Sequence, residues 1–231
     1  MNKLPKANTL YCFSPPVMIF TIIVELSLAV WMLSRYTIKT PQRIVFALLV
    51  FLAAFQVAEF NVCTSQPIDL IWSRLGYTFI TILPALALDL VIRLRGNRLR
   101  YLANLGYGLA VFFILAFSFL PSTMNVGVCN GNYVVFFLTE PLSKVYGLYY
   151  LGLELIGLNL SIVSASNASK PHQIALKLMG LAYLSIMLPS FIIYFVLPST
   201  RTAIPSIMCG FAIFFALIVG LKVTPLISKK R

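Results

Sequence analysis

The chain has 231 residues, of which 60% are hydrophobic and only 10% are charged. A soluble domain usually carries about 25% charged residues, so this composition excludes an ordinary soluble protein. The formal net charge is +12, but the basic residues are spread over short connections. They form no continuous basic surface, and we expect no nucleic-acid partner.

Seven apolar segments follow one another along the chain. Each has about twenty residues, the length that a helix rising about 1.5 Å per residue needs to cross about 30 Å of hydrocarbon. The segments cover residues 16–36, 44–62, 70–92, 102–120, 146–166, 174–197 and 204–223. They predict an all-α membrane protein, a seven-transmembrane helical bundle that forms a single domain over residues 1–231 and has the lipid bilayer as its surroundings.

Basic residues alternate between the two sides of this predicted bundle. They concentrate in the first, third and fifth connections and at the end of the chain: Arg35, Lys39, Arg43, Arg93, Arg95, Arg98, Arg100, Lys170, Lys177, Lys229, Lys230 and Arg231. Few lie on the other side: Lys144, Arg201 and, before the first segment, Lys3 and Lys6. Short loops rich in Lys and Arg face the cytoplasm, so we predict an outer N-terminus and a cytoplasmic C-terminus.

The fourth connection is the only long one, and it lies on the predicted outer side. Residues 125–137 combine β-branched and aromatic residues with Asn130-Gly131, a dipeptide that favours a tight type I′ turn. The pattern predicts a small β-hairpin that covers the outer mouth of the bundle. The alternative is an interfacial loop whose aromatic side chains lie at headgroup level.

Two cysteines lie on the same predicted outer side. Cys63 ends the second segment and Cys129 belongs to the fourth connection. Both would face an oxidising compartment, which predicts a Cys63–Cys129 disulfide. Spacing along the chain does not fix a distance in space, so two free thiols are the alternative. Cys209 falls inside the seventh segment and is expected to be a small packing residue.

Two carboxylates fall near the middle of predicted membrane helices, Glu25 in the first and Glu154 in the fifth. Ionisable groups in hydrocarbon are costly, so they usually face the bundle interior and mark a functional site. Glu154, with Tyr150 one turn before it, is a candidate ligand contact. The alternative is a structural carboxyl group with hydrogen bonds from residues such as Tyr183. For Glu25 the structural role is favoured.

Two charge pairs are predicted around the third segment. Glu59 and Arg74 lie at similar depth on neighbouring helices near the outer side, and Tyr77 follows Arg74 at i+3. A pair there could form the floor of a binding site, or it could only join the two helices. Near the cytoplasmic end, Asp89 and Arg93 at i+4 spacing predict a local ion pair.

Motifs for catalysis and for cofactors are missing from the sequence. It contains one histidine, and it has no Gly-rich phosphate loop and no His/Cys cluster. We therefore predict that the protein is not an enzyme, and we assign no catalytic residue, no metal site and no cofactor.

Several short motifs together resemble a known family. They are Ala58-Glu59-Phe60, Trp72-Ser-Arg74-Leu-Gly-Tyr77, Leu83-Pro84-Ala85-Leu86, Leu188-Pro189-Ser190 and Ile204-Pro205-Ser206. From about Phe13 to about Pro225 the chain resembles the seven-transmembrane N-terminal sensor region of bacterial histidine kinases. The resemblance implies a receptor-like module of the bacterial inner (plasma) membrane. Such a module would detect an extracytoplasmic or membrane-borne small ligand and pass the signal through the seventh helix. It adds Trp72 to the ligand-binding candidates Glu59, Arg74, Tyr77, Tyr150 and Glu154.

The chain departs from that family after the seventh helix. Kinase, cyclase or phosphatase domains usually follow there, whereas this sequence ends in Ser228-Lys-Lys-Arg231. It could be part of a longer sensor, or a sensor that acts on a separate cytoplasmic signalling protein or membrane partner. Two other hypotheses stay open. One is a small transporter of the PQ-loop or sugar-carrier kind, suggested by Pro41-Gln42 alone, and the other is a structural subunit of a membrane complex.

Overall fold

The computed structural model describes residues 15–64, 69–96, 98–120, 123–130, 133–164 and 169–228. Seven of its helices are long and apolar enough to cross a membrane, as predicted, which makes this an integral membrane protein. Their bounds are α1 Pro15–Arg35, α2 Thr40–Thr64, α3 Leu70–Leu94, α4 Arg100–Phe119, α5 Leu142–Ser164, α6 Lys170–Val196 and α7 Ile204–Leu217. The chain continues from α7 without a break through a π-helical stretch, Ile218–Val223, and a final turn, Thr224–Ile227.

Proline explains why two helices begin earlier than their apolar runs. The sequence predicts starts at residues 44 and 174, but α2 and α6 begin at Thr40 and Lys170. Pro41 and Pro171 lie in these first turns, where a missing N–H is no loss. By contrast, α3 begins at its predicted residue. There the Asp69 carboxylate caps the helix by accepting a 3.1 Å hydrogen bond from the Ile71 N–H.

Helix α3 is the centre of the bundle. It packs against α2, α4, α5 and α6, and most of its side chains are buried. Small residues let the neighbouring backbones approach. A Cβ added to Gly106 of α4 would lie 3.2 Å from Leu153 and 3.4 Å from Ala85 of α3. Such close packing drives helix association in lipid, where apolar side chains gain little by leaving hydrocarbon.

The remaining helices leave a gap on one side. Helix α5 packs mainly on α3 and α6, whereas α7 packs mainly on α6, α1 and α2. A groove therefore remains between α5 and α7, with α6 along its side. We call α2, α3 and α4 the packed half of the protein and α5, α6 and α7 the open half.

Two antiparallel strands, β1 Met124–Asn130 and β2 Tyr133–Leu138, confirm the predicted hairpin between α4 and α5. The register pairs Met124 with Leu138 and Cys129 with Val134, and it is interrupted by a bulge between Asn125 and Val128. The sequence predicts a type I′ turn at Asn130-Gly131. Asn130 is instead the last residue of β1 and pairs with Tyr133, and residues 131 and 132 lie outside the described residues.

The two ends of the bundle differ in charge. The hairpin contacts α2, α3 and α7 at one end, which we call the hairpin end. The opposite end, which we call the basic end, carries the α1–α2, α3–α4 and α5–α6 connections. The described basic residues in these connections and in the adjoining helix turns are Arg35, Lys39, Arg43, Arg93, Arg95, Arg98, Arg100, Lys170 and Lys177. The predicted Asp89–Arg93 ion pair is confirmed there at 2.9 Å, and the Tyr107 hydroxyl donates to the second Asp89 oxygen at 3.2 Å.

Candidate functional site

The hairpin is fixed to α2 and α3 by two contacts of its first strand. The predicted disulfide joins Cys129 to Cys63 near the end of α2, with their Cα atoms 5.0 Å apart. In the bulge, the Gly127 N–H donates to the Ser73 hydroxyl of α3 at 2.9 Å. A Cβ at Gly127 would lie only 2.9 Å from that same hydroxyl oxygen, so the bulge needs glycine for this close approach.

Ser206 of α7 joins the second strand to α2. Its hydroxyl accepts a hydrogen bond from the Val134 N–H at 3.2 Å and is also bonded to the carboxyl group of Glu59. Both Ser206 and Glu59 are almost completely buried. One hydroxyl therefore connects the hairpin, α2 and the first turns of α7.

The predicted Glu59–Arg74 ion pair is wrong. Glu59 faces Ser206, whereas the Arg74 side chain turns to the other side of α3 and donates to the Ser118 carbonyl of α4 at 3.2 Å. Ser118 lies in the last turn of α4, where carbonyl groups lack helical partners and attract a cation. The two side chains point to different neighbours. Arg74 therefore caps α4 at Ser118 and does not line the groove described below.

An aromatic cluster lies beneath the hairpin. The Tyr77 ring lies 5.1 Å from Phe117, 5.3 Å from Phe136 of β2 and 5.4 Å from Tyr146 of α5, measured between ring centroids. Edge contacts of this kind add to the gain from burial. Trp72 lies farther toward the start of α3 and is half-buried at the margin of the core. The structure thus places Tyr77 in the wall of the groove and Trp72 away from it.

The groove of the open half begins at the hairpin end. It has two adjoining parts of about 370 Å³ and 590 Å³ that share Gly147 of α5 and Ile204 and Met208 of α7. The smaller part runs beneath β2 to Tyr146 and Tyr150, and the larger part runs along α6. Its size and its largely apolar, aromatic lining are those of a small-molecule site.

Charged residues lie at the mouth of the groove. Glu140 and Lys144 form an exposed pair at 3.7 Å, a geometry that contributes little to stability. Arg201 lies over the Tyr194 ring, 5.0 Å from its centroid, and donates to the Tyr194 carbonyl at 3.3 Å. The mouth therefore presents charges of both signs at the hairpin end.

A small cavity of about 30 Å³ continues the groove toward the middle of the bundle. Tyr150 and Met208 line both the groove and this cavity, and the cavity also contains Glu154 and Tyr183. The Glu154 Oε2 atom and the Tyr183 hydroxyl are buried and have no hydrogen-bond partner. Buried polar groups are normally paired, so two unpaired groups in one cavity indicate a place for a polar ligand atom.

Glu25 provides a contrast to Glu154. It is fully buried in α1, and neither of its carboxyl oxygens has a partner. Unlike Glu154, it lines neither the groove nor the small cavity. Within the described part of the chain, no three His, Cys, Asp or Glu side chains group as metal ligands.

Several site residues were missed at the level of sequence. Gly147, Met208 and Arg201 line the groove, and Ser73 and Ser206 hold the hairpin. Serine hydroxyls directly after Trp72 and Pro205, in the first turns of α3 and α7, were a usable signal, because both lie at the hairpin end, where backbone groups of the hairpin need partners. For Gly147 and Met208 the sequence carries no signal, since a groove depends on how far α5 stands from α7.

No protein-family model, curated protein or solved structure matches this chain. The resemblance to the sensor region of bacterial histidine kinases therefore stays a prediction.

Proposed function

We propose that the protein is a receptor-like sensor of the bacterial inner membrane. A small ligand enters the groove between α5 and α7 at the hairpin end, which faces outward. Its binding moves α7 and changes the basic end, where a separate cytoplasmic signalling protein or membrane partner responds. The observation that carries the proposal is that Ile204 and Met208, which line the groove, belong to the helix that runs on to the basic end.

Two features support the outward orientation. The basic connections gather at one end, as positively charged loops do on the cytoplasmic side. The Cys63–Cys129 disulfide lies at the other end, and disulfides persist in oxidising compartments. The two features rest on different chemistry and favour the same orientation.

The π-helical stretch supports a role for α7 in transmission. From Ile218 to Val223 the backbone leaves the α-helical pattern, and the Thr224 hydroxyl donates to the Val219 carbonyl at 2.9 Å. π-Helical turns inside α-helices occur often at functional sites. A stretch of this kind can change its winding, so a displacement at Met208 could alter the position of Leu221 and the residues beyond it.

The experiment fills the groove with a side chain. Gly147 lines the groove and a Cβ at this position would meet open space, so Gly147→Trp directs a large side chain toward the groove. Spin labels at the exposed positions Ile38→Cys and Leu221→Cys report the distance between the α1–α2 connection and the π-helical stretch in lipid vesicles. We expect Gly147→Trp to shift this distance by about 2 Å, the size of helix shifts in switching proteins.

The matched control is Gly108→Trp, because Gly108 of α4 also faces open space but lies outside the groove. It should leave the distance unchanged. Identical distances in the wild type, Gly147→Trp and Gly108→Trp would contradict transmission through α7. Solute flux through vesicles that Gly147→Trp blocks would favour the transporter hypothesis instead.

A further inference from the structure

We propose that the groove binds a small organic amine, with its ammonium group held by Glu154 and Tyr183 and its apolar body against the tyrosines of α5. This inference rests on the proposed function, since it names the ligand of the same groove. It is argued from the unpaired atoms, the size of the cavity and the placement of charge.

The two unpaired atoms favour a ligand group that donates hydrogen bonds. Glu154 Oε2 can only accept hydrogen bonds while the carboxyl group is ionised, and the Tyr183 hydroxyl can accept one as well. An ammonium group offers three N–H donors and no acceptor. A ligand with a carboxylate or phosphate at this place would instead meet Glu154 with a charge of the same sign.

The size of the cavity fixes which part of the ligand enters it. About 30 Å³ holds a group the size of a water molecule, such as an ammonium group, but not the rest of a ligand. The body must then lie in the adjoining part of the groove, about 370 Å³, where Tyr146 and Tyr150 present aromatic surface. Met208 lies between the two spaces, and its flexible side chain can make room for a connecting carbon chain.

The placement of charge also favours a cation. The small cavity is lined by one acidic side chain and by no basic one. The nearest described basic side chains along the groove, Lys144 and Arg201, lie at its mouth. A single carboxylate among aromatic rings suits a monovalent organic cation, because tyrosine faces attract ammonium groups too.

Gly157 leaves the space that the Tyr183 side chain occupies. A Cβ at Gly157, one turn after Glu154 on α5, would collide with the Tyr183 hydroxyl. Glycine at this position lets the Tyr183 ring of α6 cross close to α5 and reach the cavity that contains Glu154. The two acceptors therefore come from neighbouring helices, and a bound ammonium group would join α5 to α6.

The test compares three probes that share a phenyl ring and an ethyl or methylene carbon: phenethylamine, 2-phenylethanol and phenylacetate. Binding to the full chain in detergent is measured by isothermal titration calorimetry at pH 7, with the heat of mixing into empty micelles subtracted. The wild type should bind phenethylamine at least about tenfold more tightly than 2-phenylethanol, because a hydrogen bond between charged groups replaces a neutral one. Phenylacetate should bind most weakly.

Glu154→Gln should remove this preference and leave 2-phenylethanol binding within about twofold. The matched control is Glu25→Gln, which changes an equally buried carboxylate outside the groove and should keep the preference. Tyr183→Phe should weaken phenethylamine binding about threefold to tenfold. The unfolding temperature of each variant is measured alongside. If Glu154→Gln does not fold, the ratio of the wild-type affinities for phenethylamine and 2-phenylethanol tests the amine site by itself.

The outcomes separate this proposal from the proposed function. Equal affinity for the amine and the alcohol, or an equal loss in Glu25→Gln and Glu154→Gln, would overturn the amine site. If Gly147→Trp still prevents the binding of 2-phenylethanol in that case, the groove is a ligand site, but its ligand is not an amine. Absence of binding by all three probes would overturn the amine site as well, while the distance measurement at the basic end still tests transmission.

Discussion

The packed and open halves differ in how closely their helices meet, because a groove separates α5 from α7 in the open half. In the packed half, Gly76 and Gly106 each have a neighbouring side chain within ordinary contact distance of an added Cβ, such as Ala58 for Gly76. In the open half, Gly147 lines the groove and faces open space, whereas Gly157 of the same helix meets Tyr183. A glycine in a membrane helix thus either allows two helices to meet closely or leaves room between them. In this protein the first use joins α2, α3 and α4, and the second occurs at Gly147 beside the groove.

The largest expected effect comes from truncating the aromatic cluster of the packed half. Phe117 is fully buried in α4 and lies 5.1 Å from Tyr77 and 5.2 Å from Tyr146. Phe117→Ala should lower the free energy of unfolding by about 3–5 kcal/mol, because the cavity it leaves cannot collapse among rigid rings. Thermal unfolding in detergent measures the loss. The control is Phe195→Ala on the exposed side of α6, which should change little.

The second effect concerns the disulfide between the hairpin and the packed half. Cys63 and Cys129 are 66 residues apart in sequence, so the bridge closes a long segment that contains α3 and α4. Replacing both with serine should cost about 2–4 kcal/mol, since the unfolded chain regains the freedom that the bridge removes. Reduction of the wild type should lower its unfolding temperature to that of the double variant. An unchanged temperature after complete reduction would contradict the prediction.

The third effect tests the close approach of the hairpin to α3. Gly127→Ala should cost about 1–3 kcal/mol, because its Cβ would displace the Ser73 hydroxyl and break the hydrogen bond at the bulge. Gly152→Ala is the matched control in the open half. It meets no neighbour and should leave stability unchanged or raise it by up to about 1 kcal/mol, since alanine favours helix. Equal effects of the two changes would contradict the need for glycine at the contact between the hairpin and α3.

The smallest effect concerns the hydroxyl that joins the two halves. Ser206→Ala leaves the Val134 N–H and a Glu59 oxygen without their shared partner. We expect a loss of about 1–2 kcal/mol in unfolding free energy. Hydrogen exchange should show faster exchange at the Val134 amide, whereas the Gly127 amide, bonded to Ser73, should keep its protection. Equal loss of protection at both amides would mean that the hairpin detaches as one unit.

Much of the fold could be predicted from the sequence. The seven helices follow from apolar length, and the hairpin follows from a run of β-branched and aromatic residues. The Asp89–Arg93 pair follows from spacing within one helix, which fixes the distance between two side chains. In each case the deciding contacts are close in sequence.

The candidate site could be predicted only in part. Sequence gives the positions of Glu59 and Arg74 along α2 and α3, but it does not give the rotation of the two helices about their axes. Arg74 therefore reaches Ser118 of α4 instead of Glu59. Glu154 was a candidate because an intramembrane carboxylate is unusual. The groove beside it depends on the separation of α5 and α7, which no local pattern encodes.

The central claim is that the groove of the open half is reached by water from the outer, hairpin end. Its most direct test is labelling of Gly147→Cys by a membrane-impermeant maleimide in intact cells, in a Cys12→Ser background, with Gly108→Cys as the control. Gly147→Cys should react from outside, and prior incubation with phenethylamine should slow the reaction, while Gly108→Cys stays unlabelled. Reaction of Gly147→Cys only after the cells are permeabilised, or not at all, would contradict the claim.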